Sequence, residues 1–186
     1  MRLTFQSHLG TIHNVICPTL QDMKRLFVIR HGKAEPSGGR PDVARTLTNR
    51  GENDASKLGQ WTRDARVPGA PLLTSPASRT LATAEKLCQA WDESKDAIHV
   101  QPEAYLASDR AWLSWIAQWS DNWESGWIVG HNPGVSELVE RLTDQPIWMP
   151  TCGLAEVELQ ISSWEEAFAG TGRLRSLITP KSMLIS

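Results

Sequence analysis

Cysteine is scarce in this chain of 186 residues: Cys17, Cys88 and Cys152 stand far apart, with no CxxC pair. That spacing argues against a disulfide framework or a thiolate metal site and fits a reducing cytoplasm. Long apolar runs are missing too, and nothing approaches the ~18 consecutive apolar residues of a membrane span. Basic blocks and basic–aromatic interleaving are equally absent, and 19 basic against 21 acidic residues leave a net charge of −2. General attraction to nucleic acid or to membrane surfaces is therefore not built in. No internal repeat or low-complexity linker divides the chain. Its 40% apolar content suffices for one buried core, so one domain is the simplest organisation.

Residues 1–22 stand apart. They lack the sustained apolar segment and small-residue cleavage site of a signal peptide, and they show no strand or helix periodicity. They read as an N-terminal extension or a start-site artefact ahead of Met23-Lys24-Arg25, with the domain spanning 23–186. His8 and His13 fall within them and carry no assigned role.

From Met23 onward, short apolar runs alternate with helical patterns. Leu26-Phe27-Val28-Ile29, residues 71–75, 98–101, 127–130 and the alternating segment 154–161 read as strands. Between them, Ala55, Leu58 and Trp61-Thr62 recur at helical spacing. Residues 75–91 form a second helix, with Ser75 placed to cap it and Pro76 suited to its first turn. Two further helices are expected over 109–119 and 132–143. Strands alternating with helices imply an α/β domain of three layers, α/β/α, with a mainly parallel sheet. In the third helical region Trp112, Trp115, Trp119 and Trp123 form a stripe that reads as core packing. His99 lies mid-strand and reads as structural.

Three polar motifs fall at equivalent places. Arg30-His31-Gly32 ends the first strand, Ser75-Pro76-Ala77-Ser78-Arg79 ends the second, and Gly130-His131-Asn132-Pro133-Gly134 ends a later one. Each alone has a plain explanation: a turn, a solvated helix arginine, a hydrogen-bonded histidine. Together, at strand ends where open α/β sheets bind ligands and beside helix N-termini that favour anions, they point to one pocket. Paired arginines bind phosphate oxygens and stay charged. A neutral imidazole is a competent nucleophile toward phosphorus, and a second histidine, partly protonated near neutrality, can donate to the oxygens. In a strand, Arg30 and His31 point to opposite faces, so Gly32 is expected to let the chain turn sharply enough for both to reach the pocket.

On these motifs the chain from Lys24 to about Leu184 resembles the histidine phosphatase superfamily, whose fold is phosphoglycerate mutase-like, and within it the short SixA-type phosphohistidine phosphatases. The supporting segments are Arg30-His31-Gly32, Arg45-Thr46-Leu47-Thr48 with Gly51, Ser75 to Arg79 with Thr80, Thr83 and Ala84, and Gly130-His131-Asn132-Pro133. Thr151-Cys152-Gly153, Trp164 and Pro180-Lys181 complete the likeness. The resemblance implies that His31 accepts the phosphoryl group, that Arg30, Arg79 and His131 form the phosphate pocket, and that Arg45 is a further contact. Many members also use a carboxylic acid to protonate the leaving group. Glu103 is the best match here, with Asp42 and Asp109 behind it.

Other phosphatase chemistries fail on inspection. A cysteine phosphatase loop needs an arginine six residues after its cysteine, and those positions hold Met23, Ser94 and Glu158. There is no DxD pair, no GKS or GKT loop and no metal-ligand cluster. The phosphohistidine route needs no cofactor. The stretch from Glu103 to Trp127 has room for one helix and little more, so no large lid is expected. An open pocket suits phosphohistidine on a protein and also admits small phosphoesters. A small-molecule phosphomonoesterase or mutase is the alternative, and a non-catalytic phosphate-binding module a third reading.

Overall fold

The structure, a computed structural model, describes residues 23–66 and 69–184. The expected extension at 1–22 lies outside them. Ten principal elements follow in order: β1 (Lys24–Arg30), α1 (Asn49–Thr62), β2 (Leu72–Thr74), α2 (Ser78–Trp91), β3 (Ile98–Val100), α3 (Asp109–Ile116), β4 (Ser125–Gly130), α4 (Gly134–Thr143), β5 (Leu154–Leu159) and β6 (Gly172–Ile178).

Six strands form one mixed sheet in the order β3-β2-β4-β1-β5-β6. Pairings β2–β3, β2–β4 and β1–β4 are parallel, while β5 runs antiparallel to both β1 and β6. The alternation of β1 divides the core. Leu26 and Val28 face the layer of α3 and α4, with Ile128, Trp112 and Leu138. Phe27 and Ile29 face α1 and α2, with Trp127, Leu58 and Leu87. Two apolar faces on one strand demand cover on both sides, which gives the α/β/α sandwich. Among the described residues, no helix is long and apolar enough to cross a membrane.

Several details depart from the sequence reading. Strand β6 was not expected. Ser75 does not cap α2; the N-cap is Ala77, and the Ser75 hydroxyl goes elsewhere. Helix α3 stops at Ile116, short of Trp119. Trp61 is exposed, while Thr62 is buried and accepts from Trp91 Nε1 at 3.0 Å. Three members of the tryptophan stripe pack the core: Trp112 is fully buried, Trp115 stands edge-on to it, and Trp119 stands edge-on to Trp164, while Trp123 is only half-buried. His99 lies exposed on the edge strand β3.

Candidate active site

The parallel register sets the motifs side by side. Arg30 pairs with Gly130 at the carboxyl ends of β1 and β4, and Thr74 of β2 pairs with Val129. Continuing each strand by one residue brings His31, His131 and Ser75 to adjacent positions. The backbone bonds His31 N–H to Gly130 O at 3.1 Å and Ser75 N–H to Val129 O at 3.4 Å extend the pairing there. The imidazoles of His31 and His131 lie 5.1 Å apart.

Gly32 serves close approach rather than a sharp turn. Its φ lies outside the left-handed region, but a Cβ there would stand 2.8 Å from the Gly51 carbonyl oxygen, and one on Gly51 would meet Lys33 O at 2.2 Å. Thr48 closes this crossing: its backbone N–H and its hydroxyl both donate to Lys33 O, and its hydroxyl accepts from Gly51 N–H. On the other side Thr83 Oγ1 accepts from Gly32 N–H at 3.0 Å and donates to Arg79 O at 2.7 Å. These contacts pin the loop that carries His31 between α1 and α2.

His31 Nδ1 donates to Gly32 O at 2.7 Å, which puts the ring proton there and leaves the Nε2 lone pair available. That lone pair accepts from Arg79 Nε at 3.2 Å. Burial, with the charges of Arg79, Arg30 and Arg45, holds His31 down at about 4 against the opposing pull of the Gly32 carbonyl. His31 is therefore neutral at working pH, as a nucleophile must be.

His131 Nε2 lies 2.7 Å from the Ser75 hydroxyl. That hydroxyl has no other acceptor among the described residues, so its proton goes to Nε2, leaving the ring proton of His131 on Nδ1. Nδ1 is buried without a hydrogen-bond partner among the described residues, and so is Nε of Arg30. The Arg30 Nη1 donates to Met149 O at 2.9 Å, shared with Asn132 Nδ2. Burial, then the neighbouring His31 and Arg79, bring His131 down to about 3. Burial thus works against the partial protonation expected of His131.

Two buried nitrogens without partners, beside an uncharged imidazole whose lone pair faces a guanidinium, are suited to receive an oxyanion. Residues 26–145 match the histidine phosphatase superfamily (branch 1). The chain belongs to this superfamily. It is a phosphatase of that group, and the likeness extends over nearly all the described residues. An uncharacterized chloroplastic protein of Arabidopsis thaliana is 28% identical over 90% of this chain and 83% of its own length. Among solved structures, a protein assigned as phosphohistidine phosphatase SixA from Agrobacterium tumefaciens is 25% identical, with a TM-score of 0.70 over 84% of this chain and 98% of its own. The protein histidine phosphatase SixA complexed with tungstate superposes with a TM-score of 0.73 at 23% identity, over 86% and 99% of the two chains.

Within this superfamily pocket the carboxylates fall differently from expectation. Glu103 is exposed on a short 3-10 turn, Pro102–Ala104, where its Oε2 accepts from Gln101 Nε2. No hydrogen bond joins it to Arg30, His31, Arg79 or His131. Asp109, at the start of α3, is ion-paired with Arg141 of α4. Asp42 does reach the site: its Oδ2 accepts from Arg79 Nη2 at 2.8 Å and from Tyr105 Oη at 2.6 Å, and its Oδ1 from Arg45 Nη1 at 2.8 Å. The Tyr105 hydroxyl, followed by Arg45 and then Arg79, holds the Asp42 carboxyl well below the usual carboxylate range. It is a fixed anion, not a proton donor. Arg45 is tied to Asp42 and, through Nε, to Glu35 O at 2.7 Å.

Tyr105 and Ser75 are the site residues that sequence reasoning missed. Tyr105 follows the turn of Glu103 and presents its ring edge-on to His131, centroids 5.5 Å apart, with the Arg79 guanidinium 5.9 Å over its face. Ser75 was visible as a residue but was given the wrong task. Cys152 donates its backbone N–H to both Arg30 O and His31 O at 3.0 Å. Its thiol is buried and pushed up to about 12, which leaves it inert. Among the described residues, no cluster of metal-ligating side chains occurs.

Proposed function

We propose that this phosphatase removes phosphoryl groups from phosphohistidine on a protein, through a covalent intermediate on His31. The observation that carries this reading is the tautomer of His31: Nδ1 is committed to Gly32 O, so the lone pair lies on Nε2, where it accepts from Arg79 Nε until a phosphoryl group arrives. In the first step the Nε2 lone pair attacks phosphorus and the bond to the substrate nitrogen breaks. Arg30 Nε, Arg79 and His131 Nδ1–H hold the oxygens as charge moves. In the second step water attacks the phosphorus, the bond to His31 Nε2 breaks, and phosphate leaves. No cofactor enters either step.

The choice of a phosphorus–nitrogen bond follows from the carboxylates. An ester oxygen leaves as an alkoxide unless an acid protonates it, and a placed acid is typically worth ~10²–10⁴-fold. Three donors favour the ionised form of Asp42, and the Glu103 carboxylate is engaged with Gln101. Imidazole leaves well once its nitrogen takes a proton from water, so phosphohistidine makes the least demand on such a pocket. We place the enzyme in the cytoplasm, where Cys88 and Cys152 remain free thiols.

Initial rates on a histidine-phosphorylated protein and on a panel of small phosphoesters test the assignment. The reading expects kcat/KM for phosphohistidine to exceed that of every ester. An ester turned over faster would make a small-molecule phosphomonoesterase the better description.

A further inference from the structure

The pocket holds a carboxylate that phosphoryl transfer, as described, does not use. Asp42 sits on a 3-10 turn, Asp42–Ala44, with no buried residue. The turn tops an excursion closed at its base by the Ala34–Leu47 bridge and the bond from Glu35 N–H to Thr46 O. Little apolar packing holds this segment, yet its hydrogen bonds converge on one side chain. Arg79, whose side chain is only 4% exposed, gives Nη2 to the Asp42 carboxylate and Nη1 to the Asp42 backbone oxygen at 2.6 Å. Both terminal nitrogens are thus taken from one end. Nε donates to His31 Nε2 at 3.2 Å, a bond that an incoming oxyanion would take over as the His31 lone pair turns to phosphorus.

We infer that Asp42 is a positioning residue and counter-ion for phosphoryl transfer, acting through Arg79 and Arg45 and held in turn by Tyr105. The inference rests on the proposed phosphatase reaction. Its geometric part is that a guanidinium gripped by two acceptors cannot rotate about Nε–Cζ, so its charge stays fixed relative to His31 Nε2. Displacements near 1 Å at a reacting centre cost on the order of 10²-fold in rate. Its electrostatic part is that three guanidinium charges, on Arg30, Arg45 and Arg79, act on His31, and one carboxylate, Asp42, offsets them. The surplus of about two matches a phosphate dianion. Without Asp42 the pocket would be over-charged for its product and loose in its aim.

A merely structural residue would, when removed, weaken binding and turnover together. Asp42 should separate them. In Asp42→Ala, kcat should fall between about tenfold and a hundredfold, while inorganic phosphate, titrated by calorimetry, binds as tightly as to the native protein or more tightly. Tyr105→Phe removes one hydroxyl grip and keeps the ring, so kcat should fall a few-fold with an unchanged melting temperature. In the background of Arg79→Lys, Asp42→Ala should cost less than it does alone, because the group it acts through is gone. An unchanged kcat, additive losses, or phosphate binding weakened in step with kcat would each overturn the inference. NMR of the Arg79 Nη protons gives a readout independent of turnover. Separate signals in the native protein should merge in Asp42→Ala, and a native protein whose Arg79 Nη signals are already merged refutes the grip. If the native protein hydrolyses no phosphorylated substrate, the phosphatase reading fails, whereas the NMR comparison still judges Asp42.

Discussion

Arg79 Nε donates to His31 Nε2 at 3.2 Å, joining two residues 48 positions apart in sequence. The bond runs to the His31 nitrogen that carries the lone pair, so in the proposed reaction the guanidinium stands where phosphoryl oxygens would be received. It also identifies the protonation state: with Nδ1 donating to Gly32 O, His31 can accept only as a neutral ring.

The neutrality of both histidines has a consequence for stability. Their ordinary value is 6.5, and the fold holds His31 at about 4 and His131 at about 3. Between those values the unfolded chain binds more protons than the folded one. The stabilisation is therefore complete above about pH 6.5 and is lost as pH falls toward 4. Asp42 is lowered too, but as a carboxylate held by donors it loses its contribution only below its ordinary 3.8. Melting temperatures measured without phosphate should be level above neutrality and fall on acidification from about pH 6.5, with a shallower fall in His31→Ala. A melting temperature that rises through that window would contradict the buried neutral pair.

Gly32→Ala tests the crossing of the His31 loop with α1. The added methyl would stand 2.8 Å from the Gly51 carbonyl oxygen and 3.2 Å from Leu47 Cδ2. The oxygen is backbone in the first turn of α1 and cannot swing aside. A loss of about 1–3 kcal/mol is expected by denaturant titration, with activity falling more steeply because His31 is the neighbouring residue. Native stability in this variant would show that the crossing has slack.

Glu103→Gln should change little. The side chain is exposed, and a glutamine oxygen can still accept from Gln101. Stability should stay within about 0.5 kcal/mol of native, and turnover of phosphohistidine and of esters should stay within about twofold, since no general-acid contribution is removed. A loss as severe as that in His31→Ala would return Glu103 to the pocket and favour an ester substrate.

The legibility of these features in the sequence followed from locality. Arg30-His31, Ser75 and Gly130-His131 each end a strand, and parallel strands bring such ends to one edge. The convergence could therefore be read without a structure. Strand β6 could not: a register shift between Glu156 and Val157 leaves Arg175 unpaired, so Leu174 and Leu177 fall out of the two-residue period. Asp42 was visible only as a weaker candidate proton donor, and its pairing with Tyr105 was hidden for another reason. Their hydrogen bond spans 63 residues between two loops with no periodic pattern. Ser75 was assigned to a helix cap because its local chemistry fits one, and tertiary structure gave its hydroxyl to His131. Glu103 was chosen by position in the chain, which places the turn but not the direction of the side chain.

The central claim is that phosphoryl groups pass through His31. Intact-protein and peptide mass spectrometry after rapid quench under alkaline conditions, where phosphohistidine survives, tests it most directly. The account predicts an acid-labile phosphoryl adduct on the peptide containing His31 that forms and decays within the turnover time. The adduct should be absent in His31→Ala, which should also be inactive while melting near the native temperature. Turnover without that adduct, or an adduct on any other residue, would contradict it.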